Sequence, residues 1–216
     1  MIARLRYWRR RFLSTPRRYR NLFRLVHQRR SRTLLEVGTY DGEHARQMIE
    51  TAGLSWPRSE IQYYGFDLFE DLTDDDLQRE FSKRPPAQAV VRAKLAATGA
   101  GIHLAKGYSR DTLPQMLFDS ARPPYVDFAL IDGGHSHETI AADWQVVRAL
   151  MGPQSIVVFD DYYDNTEPDV QALGCRRLID GLSRREFAVD VLQPVDRFRK
   201  DWGVLAVRMV SVRLRA

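Results

Sequence analysis

Three aspartates stand at the ends of the two most apolar segments of the chain. Asp132 ends the segment Phe128–Asp132, and Asp160 and Asp161 follow the segment Ser155–Phe159. If both segments are neighbouring strands of a parallel sheet, these carboxylates lie only about 5 Å apart at one sheet edge. A divalent cation with all-oxygen ligation would relieve their repulsion, which favours Mg²⁺, or Mn²⁺ in its place, over zinc. The alternative is that one aspartate caps a helix and the others face solvent.

A histidine follows the first of these aspartates by three residues. A neutral imidazole at His135 is suited to removing a proton from a hydroxyl group near pH 7. A metal held by Asp132 and its neighbours would lower the pKa of that hydroxyl and orient its oxygen. His135 and Asp132 are therefore candidate catalytic residues, and the alternative for His135 is a cation ligand or a cap.

The segment LLEVGTYDG, residues Leu34–Gly42, combines glycines with acids between an apolar run and an amphipathic stretch. Glycines at this point permit a tight turn and let a ligand approach the backbone. The acids Glu36 and Asp41 would repel a pyrophosphate, and no Lys or Arg in the loop offsets them. A ligand with an ammonium and a sulfonium group and no phosphate suits such a loop, and S-adenosylmethionine is that ligand. An ordinary tight turn is the alternative.

Another acid ends the next apolar run, in the segment YYGFDLFEDL. Asp67 is placed to accept hydrogen bonds from both ribose hydroxyls of a nucleoside ligand, because it ends the strand after the glycine loop. The alternative is that Asp67 caps a helix.

These residues need elements that bring several strand ends to one edge, and the hydrophobic pattern predicts them. Short apolar runs alternate with amphipathic stretches, which indicates βα units and a mostly parallel sheet. Seven strands are predicted, at Thr33–Val37, Tyr63–Asp67, Ile102–Ala105, Phe128–Asp132, Ser155–Phe159, Phe187–Gln193 and Gly203–Val210. The helices predicted between them include Glu43–Ala52, His137–Met151 and Pro168–Leu182. The predicted fold is a Rossmann-like, doubly wound α/β sheet with an antiparallel last strand and helices on both faces.

Charge is divided unevenly along the chain. The net charge is +5, but residues 1–32 hold 12 arginines and no acid, so residues 33–216 carry 21 basic and 28 acidic residues, a net of −7. We therefore expect an Arg-rich helical arm, residues 1–32, before one domain, residues 33–216. The single cysteine, Cys175, excludes an internal disulfide, no Cys/His cluster indicates zinc, and a reducing cytoplasm is the expected compartment. No apolar run is long enough to cross a bilayer.

The arm has three interpretations. Its apolar residues Leu22, Phe23, Leu25 and Val26 can form a helix face that packs on the domain or on a second copy of the chain, as in a homodimer. The arginines can instead attract an anionic membrane surface or a phosphate-bearing substrate. Nucleic acid is the third partner, disfavoured because no RNA-reading motif accompanies the charge.

Six segments, in this order, resemble the metal-dependent small-molecule O-methyltransferases among the class I S-adenosylmethionine-dependent methyltransferases. They read LLEVGTYDG, FDLFEDL, KGYSRDTLPQM, IDGGHSHET, VVFDDYYDN and GCRRLIDG. The nearest likeness is to the macrocin O-methyltransferase and cephalosporin-hydroxylase-like group, with the catechol O-methyltransferases more distant. The resemblance spans about Thr33 to Asp180.

The resemblance implies which residues would bind S-adenosylmethionine and which would carry the chemistry. Around the cofactor it places Glu36, Gly38, Tyr40, Asp41 and Gly42 at the methionine end, Asp67 at the ribose, and Leu68, Ser109 and Arg110 at the adenine. It makes Asp132, Asp160 and Asp161 a metal triad and His135 the base. The Asp-Asp pair departs from the acidic-Asn pair of the catechol enzymes, and the arm is short and Arg-rich, which leaves the acceptor open.

The predicted function is Mg²⁺-assisted methyl transfer to a hydroxyl of a small molecule, such as a sugar, a polyketide-like compound or a phenol. A metal-independent or RNA-directed methyltransferase is the alternative within enzymes. A nucleoside-binding module without catalysis is the alternative from another class. A nicotinamide-dependent oxidoreductase is disfavoured by Tyr40 and Asp41 in the glycine loop.

Overall fold

The computed structural model of the chain describes residues 2–79, 83–118, 125–165, 167, 170 and 172–215. These residues contain one eight-stranded sheet in the order β3-β2-β1-β4-β5-β8-β6, with β7 paired to β8. The strands are β1 Thr33–Val37, β2 Gln62–Asp67, β3 Gly101–Lys106, β4 Val126–Ile131, β5 Met151–Tyr163, β6 Phe187–Val191, β7 Asp196–Lys200 and β8 Gly203–Leu214. Neighbours among β1 to β5 pair in parallel, and β8 runs antiparallel to β5, β6 and β7.

Helices cover both faces of this sheet. They are α1 Ile2–Leu13, α2 Arg20–Gln28, α3 Glu43–Ala52, α4 Asp74–Arg79, α5 Gln88–Ala96, α6 Ser109–Thr112, α7 Gln115–Phe118, α8 His137–Ala149 and α9 Arg176–Gly181. Alternate strand residues point to opposite faces, so Leu34 and Phe128 join one core cluster with α2, α3 and α5, while Leu35 and Ala129 join the other with α7, α8 and α9. The predicted Rossmann-like α/β class is confirmed.

The prediction of seven strands misses one, because Asp196–Lys200 forms an additional strand, β7. Its sequence, DRFRK, contains no apolar run, and all of its residues after Asp196 are exposed. It is held as a strand by its hairpin partner β8, with Asp196 opposite Val207 and Lys200 opposite Gly203. Backbone pairing within a hairpin replaces the hydrophobic pattern that the prediction relied on.

The helix predicted at His137–Met151 begins where expected but ends earlier. Ser136 caps it, accepting a hydrogen bond from the Thr139 backbone N–H. It ends at Ala149, and β5 begins at Met151 and includes Gly152 and Pro153, which were expected to follow the helix as a stop. Ser155 makes this early start possible, because its Oγ accepts from Gly152 N at 2.7 Å and donates to the carbonyl of Val126 in β4.

The helix predicted at Pro168–Leu182 is shorter in the structure. The described helix, α9, spans Arg176–Gly181. Residues 168, 169 and 171 of the predicted span lie outside the described residues.

The arm packs on the sheet through its second helix. Leu22, Phe23 and Val26 of α2 are completely buried in the same core cluster as Met48 and Ile49 of α3. By contrast, only Tyr7 is buried among the residues of α1. Among the described residues, no helix is both long and apolar enough to span a membrane.

Candidate active site

The carboxyl ends of β1, β2, β4 and β5 meet at one edge of the sheet, where the predicted site residues follow them. Gly38 makes the closest approach there, with φ of +90°, and a Cβ on it would lie 2.0 Å from the backbone oxygen of Asp132. A residue with a side chain would clash with the end of β4. Glycine is therefore required for β1 and β4 to end side by side.

Two adjoining cavities open at this edge and share Gly38, Asp67 and Gly133. The first, of about 430 Å³, is called the Leu68 cavity; its lining includes Leu68, Tyr108, Ser109, Arg110, Gly134 and Glu138. The second, of about 700 Å³, is called the Asp160 cavity; its lining includes Arg18, Tyr19, Tyr40, Asp41, His44, Asp132, His135, Asp160, Asp161 and Tyr163. The shared residues make the two cavities neighbouring parts of one elongated cleft.

Asp67 lies at the junction and fixes the glycine loop. Its Oδ2 accepts a hydrogen bond from Tyr40 N at 2.7 Å, and its Oδ1 accepts from Phe69 N at 2.9 Å. Burial raises the pKa of this carboxyl, although the backbone donors at Phe69 and Tyr40 oppose the rise. Each carboxylate oxygen has a second acceptor position, so these contacts leave Asp67 able to accept from a ligand hydroxyl.

Asp41 is compensated by a lysine from another element. Its Oδ1 accepts from Glu43 N at 2.9 Å at the start of α3, and the Lys94 ammonium of α5 lies 3.3 Å from its Oδ2. The same ammonium donates to the Asp41 carbonyl at 2.8 Å. The sequence shows no Lys or Arg within the glycine loop, but the fold brings one cation to it, Lys94, from 53 residues away in the chain.

Two predicted cofactor residues line neither cavity in the described part of the chain. Glu36 is buried within β1, where its carboxyl accepts a hydrogen bond from the Tyr63 hydroxyl. Gly42 immediately precedes α3 with φ of +71°, and a Cβ on it would lie 2.9 Å from Cγ1 of Val91. Both residues therefore support the conformation of the glycine loop, and neither lines the cleft.

The three predicted metal ligands lie together in the Asp160 cavity. Asp132 follows β4, whereas Asp160 and Asp161 lie within β5, which continues to Tyr163 instead of ending at Phe159 as predicted. β4 and β5 are parallel neighbours with Ile131 opposite Phe159, so Asp132 and Asp160 come next on each strand. Burial, followed by the negative charges of Asp160 and Asp161, raises the pKa of Asp132 well above its ordinary value. The cluster therefore needs positive charge close by.

Arg18 of the arm supplies positive charge to this cluster. Its Nε lies 2.6 Å from Asp160 Oδ1 and its Nη2 lies 2.7 Å from Asp160 Oδ2, a two-pronged ion pair that is almost completely buried. Burial opposes the charge on Arg18, but Asp160 outweighs this effect and raises the pKa of the guanidinium above its ordinary value. The Tyr19 hydroxyl lies 3.0 Å from Asp160 Oδ2 and 3.3 Å from Asp132 Oδ2.

As they are placed, these carboxylates do not fit a divalent cation. Both oxygens of Asp160 bind Arg18, and Asp161 is paired with His135. Among the residues that the structure describes, no group of three His, Cys, Asp or Glu side chains is arranged to hold a metal ion. The guanidinium lies against the carboxylate that was expected to bind the metal.

His135 and Asp161 form a dyad in the same cavity. His135 Nδ1 lies 2.6 Å from Asp161 Oδ2, which assigns the proton of a neutral imidazole to Nδ1 and the basic lone pair to Nε2. Burial would raise the pKa of Asp161, but the hydrogen bond and charge of His135 outweigh it and lower that pKa below its ordinary value. An ionised Asp161 orients the ring and stabilises an imidazolium.

Arg18, Tyr19 and His44 belong to this site, and the sequence did not reveal them. The Tyr19 and His44 rings pack with centroids 4.0 Å apart, and burial lowers the pKa of His44, which favours its neutral form. Arg18 stands in a run of arginines in which nothing distinguishes it. The one available signal was Pro16, which interrupts the arm just before Arg18 and indicates a turn there.

A sequence profile described as a methyltransferase domain matches residues 35–162. No match to a curated protein was found. Among solved structures, the chain is similar to the O-methyltransferase TomG from Streptomyces achromogenes, involved in tomaymycin synthesis and solved with S-adenosylmethionine. The identity is 17% over 94% of this chain and 82% of that chain, with a TM-score of 0.61.

Two further structures show the same likeness. For an O-methyltransferase from Bacillus cereus in complex with S-adenosylhomocysteine, the identity is 19% over 93% of this chain and 82% of that chain, with a TM-score of 0.62. For an rRNA methylase from Streptococcus thermophilus, the identity is 11% over 94% of this chain and 99% of that chain, with a TM-score of 0.57. At such low identities these likenesses show the fold alone.

The profile covers more than half of the chain, including the glycine loop, Asp67, His135 and the three aspartates of the Asp160 cavity. The mostly parallel sheet with its antiparallel last strand matches the predicted Rossmann-like class, and the cleft lies at its carboxyl edge. The chain therefore belongs to the methyltransferase-domain family, as a class I S-adenosylmethionine-dependent methyltransferase.

Proposed function

We propose that this methyltransferase acts on a hydroxyl group of a small molecule, with His135 as the general base. The observation that carries the proposal is the His135–Asp161 dyad, 2.6 Å between Nδ1 and Oδ2, in a cavity that adjoins the Leu68 cavity at Gly38, Asp67 and Gly133. A proton acceptor is thus placed beside the region where a cofactor in the cleft ends.

The cleft fits S-adenosylmethionine in size and chemistry. The Leu68 cavity offers an apolar side chain and Ser109 to an adenine, and Asp67 offers its carboxylate oxygens to a ribose at the junction. The region around Gly38, Tyr40 and Asp41 would receive the methionine end, whose ammonium group would lie near the Asp41 carboxylate, a charge that Lys94 offsets in part. When bound, the cofactor supplies the methyl group and leaves as S-adenosylhomocysteine when its carbon–sulfur bond breaks.

The residues of the Asp160 cavity then account for the acceptor side of the reaction. His135 Nε2 takes the proton from the acceptor hydroxyl, whose oxygen forms the new bond to the methyl carbon. The Nδ1–H bond to Asp161 stabilises the imidazolium that results, as an aspartate does in a catalytic triad. The proton leaves to solvent from His135 after the transfer, which restores the neutral base.

One part of the lining of the Asp160 cavity is apolar. Phe198, Leu205 and Val207 present carbon surface there, whereas the rest of the lining is mostly polar or charged and includes Lys83 and Lys200. This apolar part suits the ring or carbon skeleton of a phenolic or polyketide-like acceptor, and the polar groups suit its hydroxyls.

His135→Gln is the direct test of the base. We expect turnover to fall about 100-fold or more, because general-base catalysis contributes at least that much, with S-adenosylhomocysteine affinity nearly unchanged. The assay measures S-adenosylhomocysteine release with a panel of phenols, polyketide-like compounds and sugars, and calorimetry measures cofactor binding.

His103→Gln is the matched control, because His103 is exposed on β3, away from the cleft, where it hydrogen-bonds to Gln62 at 3.0 Å and stacks on the Tyr64 ring. It should behave as the wild type. Full turnover in His135→Gln would remove His135 as the base. Wild-type protein that binds S-adenosylhomocysteine but methylates none of the panel would point to a non-catalytic module or another acceptor class.

We further propose that Arg18 carries the positive charge that Mg²⁺ was expected to supply. The support is the pair of bonds from Arg18 to both oxygens of Asp160, together with the buried position of the guanidinium. A cation at Asp160 would have to displace the Arg18 guanidinium. The buried charge of Arg18 would then be left without its partner, at a cost of about 3–5 kcal/mol.

EDTA provides the measurement. We expect wild-type turnover to be the same in EDTA and in Mg²⁺, and Arg18→Ala to lose most of its activity and about 3–5 kcal/mol of stability. Arg17→Ala, whose side chain is exposed one residue away, is the control. Loss of wild-type activity in EDTA, with recovery in Mg²⁺, would reject this role of Arg18 and support the metal.

A further inference from the structure

Helix α1 presents an apolar stripe to solvent. Ile2, Leu5, Trp8 and Phe12 are spaced three or four residues apart, which places them on one side of the helix, and they are 51% to 70% exposed. The rings of Trp8 and Phe12 stack at a centroid distance of 5.4 Å. Tyr7, on the other side, is the one buried residue of the helix and packs against His27 of α2. The stripe thus faces away from the body of the protein.

Arginines flank the stripe. Helix α1 carries five of them and no acid: Arg4, Arg6, Arg9, Arg10 and Arg11. Among the described residues only Arg10 of these five forms a salt bridge, to Glu50 of α3. The Arg11 guanidinium lies over the Phe12 ring at 5.2 Å, so its stem runs along the stripe. The unpaired charges therefore border the exposed apolar side chains.

A groove beside the helix continues this basic surface. Its volume is about 570 Å³, and its lining includes Arg6, Arg9 and Leu13 of α1 together with Glu43 and Arg46 of α3, which form an ion pair with each other. Arg6 and Arg9 are the groups of this groove that can bind a phosphate next to the apolar stripe.

We propose that α1 binds an anionic lipid bilayer, lying in the plane of its surface with the apolar stripe inserted. An interfacial helix has this composition: arginines toward the headgroups, and tryptophan, phenylalanine, leucine and isoleucine toward the acyl chains. The net charge of −7 on residues 33–216 is repelled by the same surface, which orients the protein with α1 as its contact.

Charge decides between a bilayer and a second copy of the chain as the occupant. A two-fold axis would set α1 against its own copy and bring two sets of unpaired arginines together, which is unfavourable. An anionic surface pairs with the same arginines and buries the same stripe.

This orientation also places the cleft. Two residues separate Leu13, the end of α1, from Pro16, which lines the Asp160 cavity with Arg18 and Tyr19. The three residue steps from Leu13 to Pro16 span at most about 11 Å, so the cavity mouth lies next to the bilayer surface. An apolar acceptor dissolved in the membrane would reach it directly.

Vesicle flotation of the full chain tests this proposal without any activity assay. We expect the protein to float with phosphatidylcholine vesicles containing about 30 mol% phosphatidylserine and not with pure phosphatidylcholine vesicles. Trp8→Ser should lower the partition coefficient about 10-fold. Arg4→Gln combined with Arg9→Gln should lower it about 5-fold for each arginine.

Trp202→Ser is the matched control, since Trp202 is 53% exposed in the turn between β7 and β8 and Trp8 is 54% exposed. It should leave flotation unchanged. All of these side chains are exposed, so circular dichroism and S-adenosylhomocysteine binding should match the wild type. Absence of flotation with anionic vesicles, or equal flotation of Trp8→Ser, would overturn the proposal. So would a dimer in light scattering that Trp8→Ser dissociates, because the stripe would then bind a second copy.

Discussion

At the scale of single residues, the most unusual carboxyl group outside the cleft is that of Glu36. It is buried in β1 and accepts a hydrogen bond from Tyr63. Burial raises its pKa from an ordinary 4.5 to about 8, an effect only partly opposed by the Tyr63 hydrogen bond. The native state therefore holds a proton at neutral pH that the unfolded chain has already lost.

This raised pKa predicts how stability depends on pH. Because the native state binds the extra proton, the free energy of unfolding should fall as pH rises from about 5 to 8, by up to about 1.4 kcal/mol per pH unit from this group. Glu36→Gln should remove that slope and exceed the wild type in stability above about pH 8. Urea unfolding at several pH values measures both effects.

Glu43→Gln carries the same chemical change at a group with the opposite behaviour. Hydrogen bonds from Arg46 lower the pKa of Glu43 to about 2, so it is ionised in both states across this pH range and its removal leaves the slope unchanged. Parallel pH curves for Glu36→Gln and the wild type would contradict the assignment of the slope to Glu36.

At the scale of elements, β7 positions the arm over the cleft. Asp196 begins this strand, and its two oxygens accept hydrogen bonds from the backbone N–H groups of Arg17 and Arg18 at 2.9 and 2.8 Å. In addition, Nη1 of Arg18 forms an ion pair with Asp196 Oδ2 at 3.5 Å. The hairpin that the sequence did not predict therefore holds the backbone from which Arg18 reaches Asp160.

Removing the Asp196 carboxylate should release this segment. We expect Asp196→Ala to lose about 2–3 kcal/mol of stability, since two buried N–H groups and part of a charge lose their acceptor. Turnover should fall with it, because Arg18 is no longer fixed against Asp160. Asp201→Ala, at an exposed position of the same hairpin, should change neither property in denaturant titration and activity assays. If Asp196→Ala keeps wild-type stability, β7 does not anchor the arm.

At the scale of the whole molecule, the arm divides at residues 14–19. Helix α1 lies on the surface, whereas Leu22, Phe23 and Val26 of α2 are part of the core. We propose that the domain begins with α2 and not at residue 33.

Two truncations test this boundary. Deletion of residues 1–13 should leave a cooperatively folding protein that binds S-adenosylhomocysteine. Deletion of residues 1–28 should prevent folding, because each large apolar residue of α2 contributes about 1.5–3 kcal/mol by burial and a domain is stable by only about 5–15 kcal/mol. Thermal unfolding followed by circular dichroism distinguishes the two. A stable, cofactor-binding protein lacking residues 1–28 would restore the boundary at residue 33.

The hydrophobic pattern and the glycine positions of the sequence were sufficient to predict elements wherever burial and local backbone geometry favour the same structure. β1 and α3 have the predicted bounds, Thr33–Val37 and Glu43–Ala52, because a buried strand, two glycines with positive φ and an amphipathic helix follow one another there. Asp132 and Asp160 meet because each follows one of the paired residues Ile131 and Phe159 on parallel neighbouring strands, which the apolar runs already indicated.

Only the tertiary structure decided which charges face those aspartates. Arg18 pairs with Asp160 across 142 residues of sequence, and Lys94 reaches Asp41 across 53, so no local spacing could reveal either pair. From the sequence, three carboxylates without a visible cation predicted a metal; in the folded chain an arginine lies against one of them. Composition and periodicity determined the fold and the cleft, whereas long-range packing determined its electrostatics, because a pairing between distant charges leaves no periodic mark on a sequence.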